Sequence, residues 1–219
     1  MSLNQESLNN LLVVADKALS MPQLLEKAER LAGPDTTVHV IQVIYEGVAE
    51  ISTAAVEDSS RLKTFMLQSA EAALEDELEK ARGRFKHLES ATLWNARPWE
   101  AVLHAAADAD ADLIIKATGE EEGFGERMVR ALRTPDEWNL LRHAPIPVLL
   151  VKVAAWPAEP LVLCAVDAFD EAHDELSVKL LGEAAQVAAM MSGALDVVFT
   201  YPLFEPWVGE LGAVKSYAE

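Results

Sequence analysis

The residues with most chemical potential crowd a single stretch between Gly119 and Arg133. Gly119, Gly123 and Gly125 can bring backbone N–H groups close to an anion, because a residue without Cβ accepts the turns that such a nest needs. Arg127, Arg130 and Arg133 follow at three-residue spacing. On a helix they would spread over about a third of the circumference, enough to meet an anionic ligand or partner. Glu120, Glu121 and Glu122 stand in the same stretch and set negative charge against any phosphate placed there. The plainer reading is a solvated face in which Glu126 pairs with Arg130 one turn on, and glycines that give a long loop its freedom.

Elsewhere the reactive residue types do not assemble. His39, His87, His104, His143 and His173 never recur at metal-ligand spacing, so no metal site is expected. Asp108, Asp110 and Asp112 alternate before an apolar run but lack the glycine turn and terminal glutamate of a calcium loop, and read as a solvated loop. The single cysteine, Cys164, lies inside the apolar run 161–166 without an evident histidine partner; it excludes an internal disulfide and reads as a small core residue. There is no phosphate-binding Gly-x-x-x-x-Gly-Lys-Ser/Thr loop and no nucleophile elbow. Ala15-Asp16-Lys17-Ala18 stands after the first strand where a dinucleotide fingerprint would begin. No catalytic residue is expected.

Composition narrows the class. Across 219 residues, 51% apolar and 25% charged residues describe a globular chain, not a disordered or repetitive one. With 36 acidic against 18 basic residues the net charge is −18, which disfavours nucleic acid and anionic membranes as partners. No apolar run reaches the roughly 18–20 residues of a membrane span, and residues 1–10 carry neither a basic nor a long apolar region, so a cytoplasmic location is expected. Trp94, Trp99, Trp138, Trp156 and Trp207 read as packing and interface residues.

The elements that must position these groups follow from apolar periodicity. Residues 11–15 form a continuous apolar run ending in Asp16, the pattern of a strand buried on both faces of a parallel sheet. Ser20, Pro22 and Gln23 open a helix with Met21, Leu24, Leu25, Ala28 and Leu31 inward, which Gly33-Pro34 stops. Residues 38–45 are the next strand. A long helix is expected over 54–85, with Leu62, Phe65, Met66, Leu74 and Leu78 on its buried side, then a weaker strand near a sheet edge over 88–94. Pro98 opens a helix with Trp99, Val102, Leu103 and Ala106 inward. A strand over 112–118, a loop over 119–134, a helix over 136–143 and a fifth strand over 148–153 complete a doubly wound α/β domain with a five-stranded, mainly parallel sheet, residues 1–153.

Residues 154–160, with Trp156, Pro157 and Pro160, read as a stiff linker. The pattern then begins again in 161–219: an apolar run ending in Asp167, a helix with Leu176, Leu180, Ala184, Val187 and Met191 inward, a cap at Gly193 and a strand over 195–201. This is a partial second copy, β-α-β, and half a parallel sheet leaves an open edge and face. The expectation is that further sequence, the first domain or another chain covers it.

Asp16, Asp112-Leu113-Ile114-Ile115, and above all the stretch from Thr134-Pro135-Asp136-Glu137-Trp138 through Ala144-Pro145-Ile146-Pro147 to Lys152 resemble the universal stress protein family, and more closely its tandem, E-type members. The resemblance implies a stress-response role and, in some members, ATP at the crevice outside the strand ends; the uncovered half sheet separately implies protein partners or self-association, as a homodimer or by intramolecular domain pairing. By the resemblance, Asp16 and Val43 fall on positions that contact the adenosine end. The family's phosphate loop, Gly-x-x-Gly followed by Gly-Ser or Gly-Thr, falls on Ala117, Glu120 and Thr134-Pro135, and each departs from the pattern; Pro135 also removes an N–H donor. In the second copy Asp167 persists and Thr200 replaces Val43. The expected function is therefore a non-catalytic binding or scaffold module without a cofactor. The alternative is an ATP- or AMP-binding switch, with weak hydrolysis, in which Asp16, Val43, Ala117, Gly119, Arg127, Arg130 and Arg133 would make the site.

Overall fold

The computed structural model describes residues 8–16, 19–46, 56–118, 136–166 and 174–199. In chain order these hold β1 (Asn10–Ala15), α1 (Met21–Glu29), β2 (Thr37–Ile44), α2 (Val56–Glu79), β3 (His87–Trp94), α3 (Pro98–Asp108), β4 (Leu113–Ala117), α4 (Asp136–His143), β5 (Val148–Val151), β6 (Leu161–Val166), α5 (Asp174–Met190) and β7 (Ala194–Phe199). Two compact units result, Met1–Ala155 and Trp156–Glu219.

In the first unit β1 to β5 form one sheet in the order β3-β2-β1-β4-β5, with all neighbours parallel. β1 lies at the centre because its run of four apolar residues is buried on both faces. β3 is an edge strand, as its broken apolar pattern leads one to expect. The register sets Val14 opposite both Ile41 and Lys116, so residues 12, 14, 41, 114 and 116 share a face. On that face Leu12, Val14, Ile41 and Ile114 pack with Val102 and Ala106 of α3 and Leu140 of α4. α1 packs on β1, and α2 on β2 and β3. Leu24, Leu25 and Ala28 of α1 and Leu74 and Leu78 of α2 are buried.

Polar contacts start the strands in register. Asp112, in the acidic alternation read as solvated loop, accepts hydrogen bonds at Oδ2 from the N–H groups of Asn9 (2.6 Å) and Asn10 (2.9 Å), joining the beginnings of β1 and β4. At the head of α1, Gln23 Oε1 accepts from Ser20 Oγ at 2.7 Å. Lys27 is buried in α1, and its Nζ donates to the Ala154 carbonyl at 2.7 Å, fastening the segment that follows β5.

The long helix is shorter than its periodicity suggests. It ends at Glu79, and Arg82–Arg84 make a 3₁₀ turn. Gly83, a poor helix former, and the salt bridges from Arg82 back to Glu75 and Glu79 favour that tighter turn. Its apolar side is also less packed than expected: Phe65 is 68% exposed and Leu62 is exposed, and among the described side chains of the helix Leu74 and Leu78 are the buried apolar ones.

Glu75 accepts from Ser90 and Arg82, and these hydrogen bonds, Ser90's first, hold its carboxyl below the ordinary glutamate value of 4.5. A carboxyl lowered in the folded state adds stability that is complete above the unfolded value and is lost as pH falls through the lowered one. Ser90→Ala is expected to raise the Glu75 midpoint and to shift this loss to higher pH. Carbon-13 NMR titration of the Glu75 carboxyl checks it; an unmoved midpoint would contradict the assignment.

In the second unit β6 and β7 pair in parallel, with α5 mainly against β6. Cys164 is buried as expected, yet Leu176 and Leu180, expected inward, are exposed, while Ala188 and Met191 are buried. Periodicity identifies the apolar face of α5; two strands do not suffice to cover its first half. Leu161 and Leu163 are likewise exposed, at 61% and 63%. Gly193 differs from its expected part: Ser192 takes the left-handed conformation, φ 53°, after α5. Glycine follows because a Cβ there would lie 2.2 Å from the Pro160 carbonyl oxygen, which accepts from Ala194 N–H at the start of β7.

Candidate functional site

Open parallel sheets bind ligands outside the carboxyl ends of their strands, where the chain reverses its order across the sheet. In this sheet that point lies between β1 and β4. β1 delivers Asp16 to it, and β4 delivers Lys116. The Lys116 side chain is 9% exposed, and its Nζ donates to Asp16 Oδ2, lies 3.4 Å from the Ala117 carbonyl and stands 3.6 Å from Glu137 Oε1 on α4. The carboxylates are less enclosed, Asp16 at 33% and Glu137 at 25%. One ammonium therefore faces two partly buried carboxylates, and the cluster keeps an excess of negative charge.

Around it opens a cleft of about 990 Å³ whose walls include Val43 and Tyr45 from the end of β2, Trp99 of α3 and Leu140 of α4. The Trp99 ring stacks on His143 with centroids 5.0 Å apart, locking α3 to α4, and His143 Nδ1 pairs with the Asn139 carbonyl at 2.8 Å. Tyr45 meets Trp94, which lines a second, smaller cavity, edge to face at 5.9 Å, and Lys63 Nζ lies 5.2 Å from the Trp94 ring centroid. Gln42, also in the wall, pairs in register with Thr92. Gln42 Oε1, Thr92 Oγ1 and Trp94 Nε1 are buried without a hydrogen-bond partner among the described residues, a donor and acceptor set that an ordered water can satisfy. A second cavity, about 470 Å³, lies over β2 and β3 beside α3, with His39 Nδ1 3.1 Å from Glu89 Oε2 at its wall.

Of the residues singled out from sequence, Asp16 and Val43 line the cleft together. Ala117 is buried in β4 and is not part of its lining. Gly119, Arg127, Arg130 and Arg133 lie outside the described residues. Lys116 is the residue that motif and spacing do not single out. Its signal is a lone charge within the otherwise apolar run 113–117, where a buried ammonium demands a partner. The adenosine contact that the resemblance implies for Asp16 meets this lysine: the carboxylate already accepts from an internal cation. Among the described residues no group of three or more metal-ligating side chains occurs, and no helix is long and apolar enough to cross a membrane.

Comparison with known proteins gives a consistent picture. The model of the family described as universal stress protein family matches residues 8–152. Universal stress protein E of Photorhabdus laumondii is 32% identical over 120 residues, 53% of this chain and 37% of that protein. The Haemophilus influenzae homolog of universal stress protein E is 27% identical over 202 residues, 88% of this chain and 64% of its own length. The chain thus spans less than two thirds of the length of these curated relatives. Among solved structures, a Pseudomonas aeruginosa protein of unknown function superposes with TM-score 0.65 at 22% identity, over 97% of this chain and 68% of that one. A universal stress protein from Archaeoglobus fulgidus gives 0.61 at 14%, over 96% and 73%. At these identities the structures establish the shared fold.

Proposed function

Because the chain belongs to the universal stress protein family, we propose that it is a non-catalytic stress-response module of the cytoplasm that works by binding, with a first-unit crevice that has given up the nucleotide. The observation that carries this is the Lys116–Asp16 ion pair, with Glu137 beside it, at the point where the family resemblance puts an adenosine contact. A ligand using Asp16 must displace a nearly buried ammonium and leave it facing Glu137 alone. The sequence from Ala117 to Pro135 supports the same reading, since Ala117, Glu120 and Thr134-Pro135 replace the glycines and small hydroxyl residue of the phosphate-binding pattern, and Glu120 to Glu122 oppose phosphate charge.

The second reading, an ATP- or AMP-dependent switch, is favoured by Asp16 and Val43 lining one cleft. Native mass spectrometry of freshly purified protein separates the two. A mass equal to the bare chain, or a multiple of it, is expected; stoichiometric copurified adenine nucleotide would favour the switch. The same spectrum reads self-association, which the exposed apolar residues Leu161, Leu163 and Trp138 support as part of the module's working state.

A further inference from the structure

We propose that a resident water molecule is built into the first unit between β2, β3 and α2, where it bridges Gln42 Oε1, Thr92 Oγ1 and Trp94 Nε1 and fixes the aromatic corner beside the cleft. β2 and β3 pair in unbroken register, with Gln42 opposite Thr92 and Ile44 opposite Trp94. Residues two apart on a strand, and residues opposite one another across a parallel pair, point to the same face, so the three polar side chains stand together on one face of the sheet. That face looks toward α2: Ser90, two residues before Thr92, bonds to Glu75, and Lys63 Nζ lies 5.2 Å from the Trp94 ring centroid. The helix thus satisfies Ser90, whereas Gln42 Oε1, Thr92 Oγ1 and Trp94 Nε1 are buried without a hydrogen-bond partner among the described residues. Ala70 and Ala73 of α2, which line the cleft with Gln42, have no side-chain polar atom to offer.

Three such atoms in one place need a group that donates and accepts at once. The indole N–H only donates, the amide oxygen only accepts, and the threonine hydroxyl does either. A cation would meet the indole N–H and an anion the amide oxygen, so the set selects a neutral molecule. Neighbouring strands lie about 4.8 Å apart and residues i and i+2 of one strand about 6.6 Å, while a water making bonds of about 2.9 Å joins atoms up to about 5.8 Å apart. One water therefore accepts from Trp94 Nε1–H, donates to Gln42 Oε1 and makes its third bond with Thr92 Oγ1, the usual number for an internal water. The gain is one of position. β3 is the edge of the sheet, and its last residue, Trp94, is held through its N–H. Tyr45 meets that ring edge to face at 5.9 Å and itself lines the cleft, so the water sets an aromatic part of the cleft wall.

The test is NMR of the nitrogen-15-labelled full chain in water, with the Trp94 indole assigned through Trp94→Phe. The Trp94 Hε1 proton is expected to show cross-peaks with water of opposite sign in NOE and ROE spectra, the mark of a water held beside the proton as opposed to chemical exchange. Its exchange with solvent is expected to be at least about a hundredfold slower than that of Trp138, which is 65% exposed. Gln42→Met keeps the length of the side chain and removes the acceptor; it is expected to weaken the water cross-peak, to speed the exchange at least about tenfold and to move the Tyr45 ring resonances. Thr92→Ser keeps the hydroxyl and is expected to leave all three unchanged. The absence of a water cross-peak, or exchange as fast as at Trp138, overturns the proposal, and so do equal effects of the two variants. Should Gln42→Met fail to fold, the spectra of the unaltered chain and of Thr92→Ser decide.

Discussion

Lys116→Met is expected to lower the stability of the first unit by about 2–3 kcal/mol, although methionine keeps the length of the stem. The lysine nitrogen is the shared partner of Asp16 and Glu137. Without it two partly buried carboxylates face each other, and breaking a buried pair from one side strands the remaining charge. The loss is smaller than the roughly 3–5 kcal/mol typical of wholly buried pairs, because both carboxylates keep some access to water. Asp16→Asn in the Lys116→Met background is expected to recover part of it, with a coupling of about 1–2 kcal/mol between the positions. Urea unfolding of the four chains of the cycle measures this. An unchanged or raised midpoint for Lys116→Met would show that the pair does not support the fold.

Ile114→Ala is expected to cost more, about 3–4 kcal/mol, within the range for large-to-alanine changes in a core. Ile114 is fully buried in β4, two residues before Lys116 on the same face, and packs in one cluster with Leu12, Val14, Val102 and Leu140. Strands on both sides of β4, and Val102 of α3 and Leu140 of α4 packed in the same cluster, leave little freedom to collapse onto the cavity. Because α4 carries Glu137 and α3 carries Trp99, the same change is expected to loosen the crevice. The urea midpoint should fall with an unchanged slope; a loss below about 1 kcal/mol would mean that the helices settle into the space.

Much of this architecture is legible in the sequence, and the reason is local. Runs such as 11–15 and 113–117 are short and continuous because the strands are buried on both faces, and the helices between them keep a three-and-four spacing. Asp16 stands out because it ends such a run. Other features depend on partners far along the chain. The Lys116 contact arises from the parallel pairing of Val14 with Lys116, and the Trp99–His143 stack from two helices separated by β4. No spacing rule reads such pairings from one sequence. Exposure is illegible for a related reason: periodicity marks Phe65, Leu176 and Leu180 as one face of a helix, but whether anything packs there depends on how far the sheet extends beneath it.

Conservation of fold does not carry the ligand with it, and the crevice illustrates why. A strand end that offers one carboxylate suits a neutral or hydroxylated ligand group; on the reading proposed above, the same carboxylate paired to Lys116 does not. On that reading a single charged residue in β4, Lys116, decides what the crevice accepts. Calorimetric titration of the full chain with ATP in Mg²⁺ tests this most directly. The account predicts no heat beyond dilution; saturable binding at micromolar concentration would contradict it.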